Sequence, residues 1–479
     1  MAVPPSIRDA FDPDRFRADG HRLIDAIADA LARWHNREGS VLPWRTPGDA
    51  LVMWQRKRFD SGVDLVDQLR RVMAASTALA NPRYMAHQVP PPLPGAALAE
   101  LVSAILNNGM AVYEMGPAAV PIELAVIEWM CGKLGMAAGS GGVMTSGGSL
   151  GNLTALLAMR QARAGYDAWA RGSHEGAPLA VVTSTDAHYS ISRALRVMGW
   201  GDAGAIVAPV DRYHRLVPSA VEGVLHRARD QGRRVIGLVA ASGSTATGAF
   251  DPLDELADLC AREELWLHVD AAHGGGAAMS LGHRHKLRGI ERADSVVWDA
   301  HKLLLMPALV TAVLFKRADH AYAAFAQQAS YLFAETAAAE QWWDLGTRTL
   351  ECTKRMMAVE LWCALRVHGE DWFGEVVDRL VVLAAALAAK VDAAPDFELA
   401  LDPELNIVCY RHRPDGFAGE ALDAHNLALR QRVVEDGKFY VVGTQLAEGY
   451  FLRSTIMNPL IEEHDFDDLL EYLRQLCRA

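Results

Sequence analysis

The sequence predicts an α/β fold, a large and mostly parallel sheet with helices on both faces, followed by a small C-terminal α+β region. Three observations lead there. From about Ser76 to Lys316, short β-rich runs alternate with helical runs, the pattern of parallel strands joined by helical crossovers. Each β-rich run ends in polar or small residues, and in such sheets ligands gather at the carboxyl ends of the strands. The chain has 479 residues, 51% of them hydrophobic, enough for one large core with smaller terminal additions.

Taken in order, residues from about Pro13 to Trp34 carry Phe16, Leu23, Ile24, Ile27, Ala28 and Leu31 at helical spacing. After a polar segment containing Gly and Pro, a second helix is expected through VDLVDQLRRVMAAS. Two amphipathic helices with little local material to cover them point to packing against something else, such as another subunit. The runs LAVVTST, RVIGLVAAS, LWLHVD and SVVWD are then expected as strands. A connector helix is expected from near Thr353 (TKRMMAVELWCALRVHG), and beyond it two β-rich stretches and the helix DFDDLLEYLRQLC. The expected division is 1–75, an N-terminal helical segment; 76–352, the large domain; and 353–479, the connector and small domain.

Composition removes several function classes. Lys+Arg 47 against Asp+Glu 59 gives a net charge of −12, a poor match for nucleic acid or an anionic membrane surface. Six cysteines lie scattered without CxxC spacing, which reads as buried thiols in a reducing compartment rather than a disulfide framework or a zinc site. The N-terminus, MAVPPSIRDAFDPDRF, lacks the apolar core of a signal peptide, and no run offers the ~18 uncharged apolar residues of a membrane span. A soluble, cytoplasmic protein is expected.

Four segments carry chemistry. Val143–Thr154 (VMTSGGSLGNLT) leads an apolar run into a Ser/Gly turn, with a helix starting near Ser149. Outward-facing N–H groups at the positive end of a helix suit a phosphate, although an ordinary N-capped turn would read the same way. The segment is neither GxGxxG nor GxxxxGK[ST], so it does not point to a dinucleotide or nucleoside triphosphate. In Leu265–Gly276 (LWLHVDAAHGGG), Asp270 ends an apolar strand. It could neutralise a cationic heterocycle such as a protonated pyridine, or simply cap the strand end. His268 and His273 make no metal pair, because a strand points residues five apart to opposite faces and no third ligand follows. In Ser295–Pro307 (SVVWDAHKLLLMP), Lys302 sits in an otherwise apolar run. A buried lysine is costly unless its amine is neutralised or covalently used. Beside a phosphate cup and a strand-end aspartate, Schiff-base chemistry is the better reading. In Thr183–Ser190 (TSTDAHYS), His188 follows a strand, where an imidazole could stack on a flat ring or simply pack.

Together these segments resemble the group II pyridoxal-5′-phosphate (PLP)-dependent amino-acid decarboxylases, the family of glutamate, cysteine-sulfinate and aromatic-amino-acid decarboxylases. The resemblance runs from about residue 15 to the C-terminus. It implies the aspartate-aminotransferase-like fold (fold type I), with 76–352 as the PLP-binding domain, and a homodimer with active sites at the subunit interface. It implies further that Gly148 and Ser149 hold the phosphate, that His188 stacks on the ring and assists proton transfer, and that Thr245 contacts the cofactor. Asp270 would pair with the pyridine nitrogen, Ala272 pack against the ring, His301 assist with the phosphate and Lys302 carry the cofactor. His87, in NPRYMAHQ, and Arg453, in YFLRSTIMNP, match positions that line the substrate pocket and receive the α-carboxylate. No metal is implied.

Three departures stand out. Asp299-Ala300 precedes His-Lys where many relatives have Asn-Pro; the aspartate resembles that of diaminobutyrate decarboxylases and sphingosine-phosphate lyases, which keeps neighbouring C–C lyase chemistry open. Leu350–Lys354 reads LECTK where Ile-Gln-Cys-Gly-Arg is usual. The loop near 333–341 lacks the tyrosine that relatives use as a proton donor; Ala339 aligns with it and Trp343 with a later tyrosine. The expected reaction is decarboxylation of an L-amino acid to amine and carbon dioxide. The Val112–Pro117 run (VYEMGP) tilts the substrate toward an acidic side chain over an aromatic one. Aldehyde-forming oxidative deamination, other C–C lyase chemistry, transamination and a non-catalytic scaffold are the alternatives.

Overall fold

A computed structural model describes residues 2–56, 59, 62–173, 175–323, 325 and 342–478. The loop expected to lack a proton donor, 333–341, lies outside the described residues. The large sheet contains β1 (Gly141–Thr145), β2 (Leu179–Ser184), β3 (Ala205–Ala208), β4 (Arg234–Ala241), β5 (Trp266–Asp270), β6 (Ser295–Asp299) and β7 (Thr311–Phe315). Its order is β1-β7-β6-β5-β4-β2-β3. Only β7 runs antiparallel to its neighbours, pairing with β1 on one side and β6 on the other. The carboxyl ends of β1, β2, β4, β5 and β6 therefore open on the same edge of the sheet.

The sequence explains this geometry. Every residue of β2, β6 and β7 is buried, as expected of strands covered on both faces, which read as continuous apolar runs. Met159, Leu156 and Ala155 of the helix Gly148–Arg163 pack with Val143, Val181, Val239, Trp266, Val297 and Val313 in one core cluster. Small residues permit close crossing: a Cβ at Gly151 would meet the Val297 and Thr311 methyls at 3.2–3.3 Å.

A smaller sheet has the order β10-β11-β9-β8, from β8 (Phe397–Leu399), β9 (Ile407–His412), β10 (Val442–Leu446) and β11 (Gly449–Thr455). By contacts the chain divides into two units, 1–87 with 386–400 and 409–479, and 88–385 with 401–408. The N-terminal helices are Pro13–His35 and Leu65–Ala74. Their Phe16, Ile24, Leu65 and Val72 are exposed.

The connector helix begins at Ala358, later than its sequence suggests. Residues just before it are drawn into another task. The Lys354 ammonium donates to Glu123 Oε1 and to the Met144 carbonyl, and Glu123 Oε1 accepts from Met144 N at 2.9 Å. This buried pair anchors the end of β1. Among the described residues no helix is long and apolar enough to cross a membrane.

Candidate functional site

The carboxyl edge of the large sheet holds a cavity of about 160 Å³, far more than the ~10–15 Å³ that one water needs. Five strand ends deliver parts of its lining. Gly148, Ser149 and Asn152 follow β1; Asp186 and His188 follow β2. Gly243, Ser244 and Thr245 follow β4, Asp270 and Ala272 come from β5, and Asp299 and Lys302 from β6.

Beyond β1, Gly147 turns the chain with φ 109°, and the helix Gly148–Arg163 starts with no side chain capping it. Its first-turn N–H groups thus face the cavity with the positive end of the helix dipole behind them. A Cβ at Gly148 would stand 3.1 and 3.3 Å from the Asp299 carboxylate oxygens and 3.5 Å from the Ala272 methyl. That space is kept open by the absence of a side chain. Gly243, at φ +77°, lets the turn after β4 touch the turn after β5, where a Cβ would lie 2.7 Å from Gly274 N.

Asp270 is built into a hydrogen-bond chain that begins deep in the core. Trp266 Nε1 donates to Ser295 Oγ (2.8 Å), which pairs with His268 Nδ1 (2.9 Å). His268 Nε2 pairs with Asn152 Oδ1 (3.0 Å), and Asn152 Nδ2 donates to Asp270 Oδ2 and Ser190 Oγ, both at 2.9 Å. Ser190 Oγ meets His188 Nδ1 at 2.7 Å. An indole N–H can only donate and a carboxylate only accept, so the direction of the chain is fixed. The Ser295 hydroxyl donates to His268, whose Nε2–H donates to Asn152, leaving both amide hydrogens for Asp270 and Ser190. The Ser190 hydroxyl then donates to His188, whose Nδ1 also accepts from Ser190 N (3.3 Å). His188 accordingly carries its proton on Nε2. Burial pushes its pKa down against the opposing pull of Asp270. Burial likewise holds His268 down to about 4, so both are neutral near pH 7.

Lys302 follows β6 in a tight turn fastened by the buried Leu303, Leu304 and Met306. Its Nζ lies 3.2 Å from Asp299 Oδ2, while Thr311 Oγ1 donates to Asp299 Oδ1 at 2.6 Å. His301 is not among the residues lining the cavity. Its Nδ1 faces the Val310 backbone (3.0 Å to O), and its Nε2 lies 3.6 Å from Asp299 Oδ2. His273, set aside as a metal ligand, pairs through Nε2 with Asn406 Oδ1 at 2.6 Å.

His87 and Arg453 belong to the other unit. There Arg83–His87 is tied to the segment before β10 by Met85 N to Tyr440 O (3.0 Å) and to β11 by Thr455 N to Met85 O (3.1 Å). His87 Nε2 meets the Tyr440 hydroxyl at 3.0 Å. Burial first, and the charge of Arg453 second, push its imidazole pKa down.

Of the residues singled out from sequence, Gly148, Ser149, His188, Thr245, Asp270, Ala272 and Lys302 share one cavity. Asn152 and Ser190 were not singled out, and His268 was weighed only as a metal ligand, although all three lie inside the quoted segments. Asn152 falls four residues after Gly148, on the same helix face, a spacing that pointed to it.

The donor set fits PLP. The uncapped helix end suits its phosphate, the Asp270 carboxylate its pyridinium nitrogen and the Lys302 amine its carbonyl, while Gly148 and Ala272 leave room for the body of the molecule. Known proteins point the same way. The pyridoxal-dependent decarboxylase conserved domain matches residues 60–413. Human cysteine sulfinic acid decarboxylase is 31% identical over 483 residues, covering 98% of this chain and 97% of that protein. Human acidic amino acid decarboxylase is 30% identical over 480 residues, covering 97% and 91%. The crystal structure of mouse CSAD matches with a TM-score of 0.90 at 28% identity, covering 97% of this chain and 99% of that one. Rice TDC with PLP and tryptamine matches in fold with a TM-score of 0.89 at 24% identity, covering 100% and 99%. The chain belongs to the pyridoxal-dependent decarboxylase family, and is a PLP-dependent amino-acid decarboxylase.

Proposed function

We propose that this enzyme decarboxylates an L-amino acid with an acidic side chain, using Lys302 to carry the cofactor and Asp270 to hold the cofactor's ring nitrogen protonated. The observation that carries the reading is the convergence of Lys302, Asp270 and the uncapped helix end at Gly148 on one cavity. PLP supplies a carbonyl for amine exchange and an electron sink for the electron pair left when carbon dioxide departs. Gly148, Ser149 and the first-turn N–H groups hold the phosphate, while His301, expected to assist with it, faces the Val310 backbone and Asp299 instead. Thr245 contacts the cofactor and Ala272 leaves its ring a flat seat. Asn152 orients the Asp270 carboxylate, and an opposite charge so placed favours a protonated ring nitrogen by roughly 1–3 pK units. Neutral His188 covers the ring and presents the Nε2 proton, which suits a group that assists proton transfer. Asp299 keeps the Lys302 Nζ beside the cup.

For the substrate, Arg453 receives the α-carboxylate through a two-pronged contact, and His87, held by Tyr440, lines the side-chain pocket. The acidic preference is supported by relatives named for acidic substrates and by the Val112–Pro117 run. A homodimer fits the exposed apolar residues Leu98, Leu101, Val102, Ile105 and Leu106 on the helix Pro94–Leu106, a stripe that a second copy would cover. The cytoplasm is the compartment we assign, on the scattered free cysteines.

The test is a substrate panel. Holoenzyme is given cysteine sulfinate, aspartate, glutamate, 2,4-diaminobutyrate, tryptophan, tyrosine and phenylalanine, with carbon dioxide, amine and oxygen uptake followed together. The expected result is one amine per carbon dioxide from an acidic member and no oxygen uptake. Faster turnover of an aromatic member would overturn the substrate assignment. Aldehyde, ammonia and peroxide would replace decarboxylation by oxidative deamination, and conversion of added 2-oxo acid to amino acid would make it a transaminase.

A further inference from the structure

Outside the cofactor cavity, three side chains from distant parts of the chain meet at one point. His412 ends β9, His425 lies on the helix Gly419–Asp436 and Cys477 on the helix Glu463–Arg478. We propose that Cys477 Sγ, His412 Nδ1 and His425 Nε2 bind a zinc-class metal ion, with solvent completing the coordination. The three atoms are separated by 2.9 Å (Nδ1 to Nε2), 3.4 Å (Sγ to Nδ1) and 3.8 Å (Sγ to Nε2). Tetrahedral zinc, with Zn–N of about 2.0–2.1 Å and Zn–S of about 2.3 Å, places its ligand atoms roughly 3.3–3.6 Å apart. An ion fits after shifts of a few tenths of an ångström.

The surroundings resemble the outer shell of a metal centre. His412 Nε2, the nitrogen turned away from the cluster, lies 3.6 Å from Asp396 Oδ2. Asp396 is itself held by Arg474 through Nε (2.7 Å) and Nη2 (2.8 Å). A carboxylate behind a ligating histidine fixes the ring and strengthens its basicity. Asn426, next to His425, accepts from His412 N and donates to His412 O, both at 2.9 Å, so the strand and helix carrying the imidazoles are locked together. Phe417 and Phe397 pack on His425 and His412, with centroids at 4.8 and 5.0 Å. His412 is buried, whereas His425 and Cys477 are half-exposed, which gives an ion a way in. Two imidazoles and a thiolate select zinc-class ions over magnesium or calcium. The intervals of 13 and 52 residues match no short metal motif, which is why cysteine spacing alone pointed away from a metal. A bound ion would clip the helix Glu463–Arg478 to the small sheet, independently of the cofactor.

The experiment uses reduced, chelator-treated full-length holoenzyme. Zn²⁺ alone is titrated calorimetrically, and Co²⁺ alone is followed by absorption. The expected result is one ion per chain, a thiolate-to-Co²⁺ charge-transfer band with strong tetrahedral d–d bands, and a thermal midpoint that rises with Zn²⁺. Cys477→Ser should remove the charge-transfer band, and Cys477→Ser and His425→Asn should each weaken Zn²⁺ by more than about tenfold, with cofactor content unchanged. Zn²⁺ binding equal in wild type and Cys477→Ser, or a wild-type Co²⁺ spectrum without a sulfur band, would overturn the proposal. The wild-type spectrum decides the matter even if both variants fail to fold.

Discussion

Replacing Asn152 by alanine cuts the chain that runs from the core to the cofactor site. The fully buried His268 loses the acceptor of its Nε2–H, and Asp270 loses a donor at 2.9 Å. A buried donor without a partner costs about 1–3 kcal/mol, and a hydrogen bond to a charged group contributes about 1.5–3 kcal/mol. The two effects share one side chain and overlap, and Asp270 borders the cavity, where water can replace the lost donor. The expected loss of stability is about 2–4 kcal/mol. If the carboxylate's lost orientation carries through to the transition state, kcat/KM falls about 10–100-fold, at 1.36 kcal/mol per decade. Asn152→Asp should be worse. It sets a second carboxylate 2.9 Å from Asp270 Oδ2, a repulsion of about 6 kcal/mol at an effective dielectric of 20 if both ionise. The pair would then retain a proton and cease to be the anion that the proposed pairing with the ring nitrogen needs. The assays are urea unfolding followed by far-UV circular dichroism, and kcat/KM at saturating PLP. Asn152→Ala within 0.5 kcal/mol and twofold of wild type, on the order of a neutral surface change, would refute the role given to this chain.

Three further outcomes follow from individual residues. Burial holds His268 at about 4 against an ordinary 6.5, so between those values the unfolded chain binds a proton that the folded chain does not. The stability it contributes is fully present above pH 6.5 and is lost as pH falls toward 4. His268→Gln should flatten the unfolding free energy across that window, and an unchanged slope would contradict the assignment. Lys354→Met leaves Glu123 buried beside β1 without its cation, so urea unfolding should show a loss of about 3–5 kcal/mol, partly restored by adding Glu123→Gln; a loss below about 1 kcal/mol would show that the pair does not anchor the strand. If Arg453 receives the α-carboxylate as proposed, Arg453→Lys replaces a two-pronged contact by a point charge and should raise KM about tenfold or more, whereas unchanged KM and kcat would leave Arg453 a structural residue.

The parts of the fold that depend on local pattern were legible in the sequence. LAVVTST, RVIGLVAAS, LWLHVD and SVVWD became β2, β4, β5 and β6, and the helix expected near Ser149 starts at Gly148. Asp270 and Lys302 could be located because a charge at the end of an apolar strand is costly to desolvate unless a partner or a ligand meets it there. The reversed direction of β7 was not legible, since an apolar run carries no sign of its orientation. The same limit hid the start of the connector helix, where the tertiary contact of Lys354 with Glu123 outweighs helical propensity. The chain through Asn152, His268 and Ser295 joins residues 116 and 27 positions apart. Each looks like an ordinary polar residue until the strands are set side by side. The grouping of residues 1–87 with the C-terminal portion is likewise a matter of long-range contact, which periodicity does not encode.

The most direct test of the central claim is to reduce the holoenzyme with borohydride, digest it and map the pyridoxyl group by mass spectrometry. A single modified peptide is expected, carrying the label on Lys302 in Asp299-Ala300-His301-Lys302, with no covalent label in Lys302→Ala. A label on any other lysine, or cofactor still fixed covalently in Lys302→Ala, would contradict it.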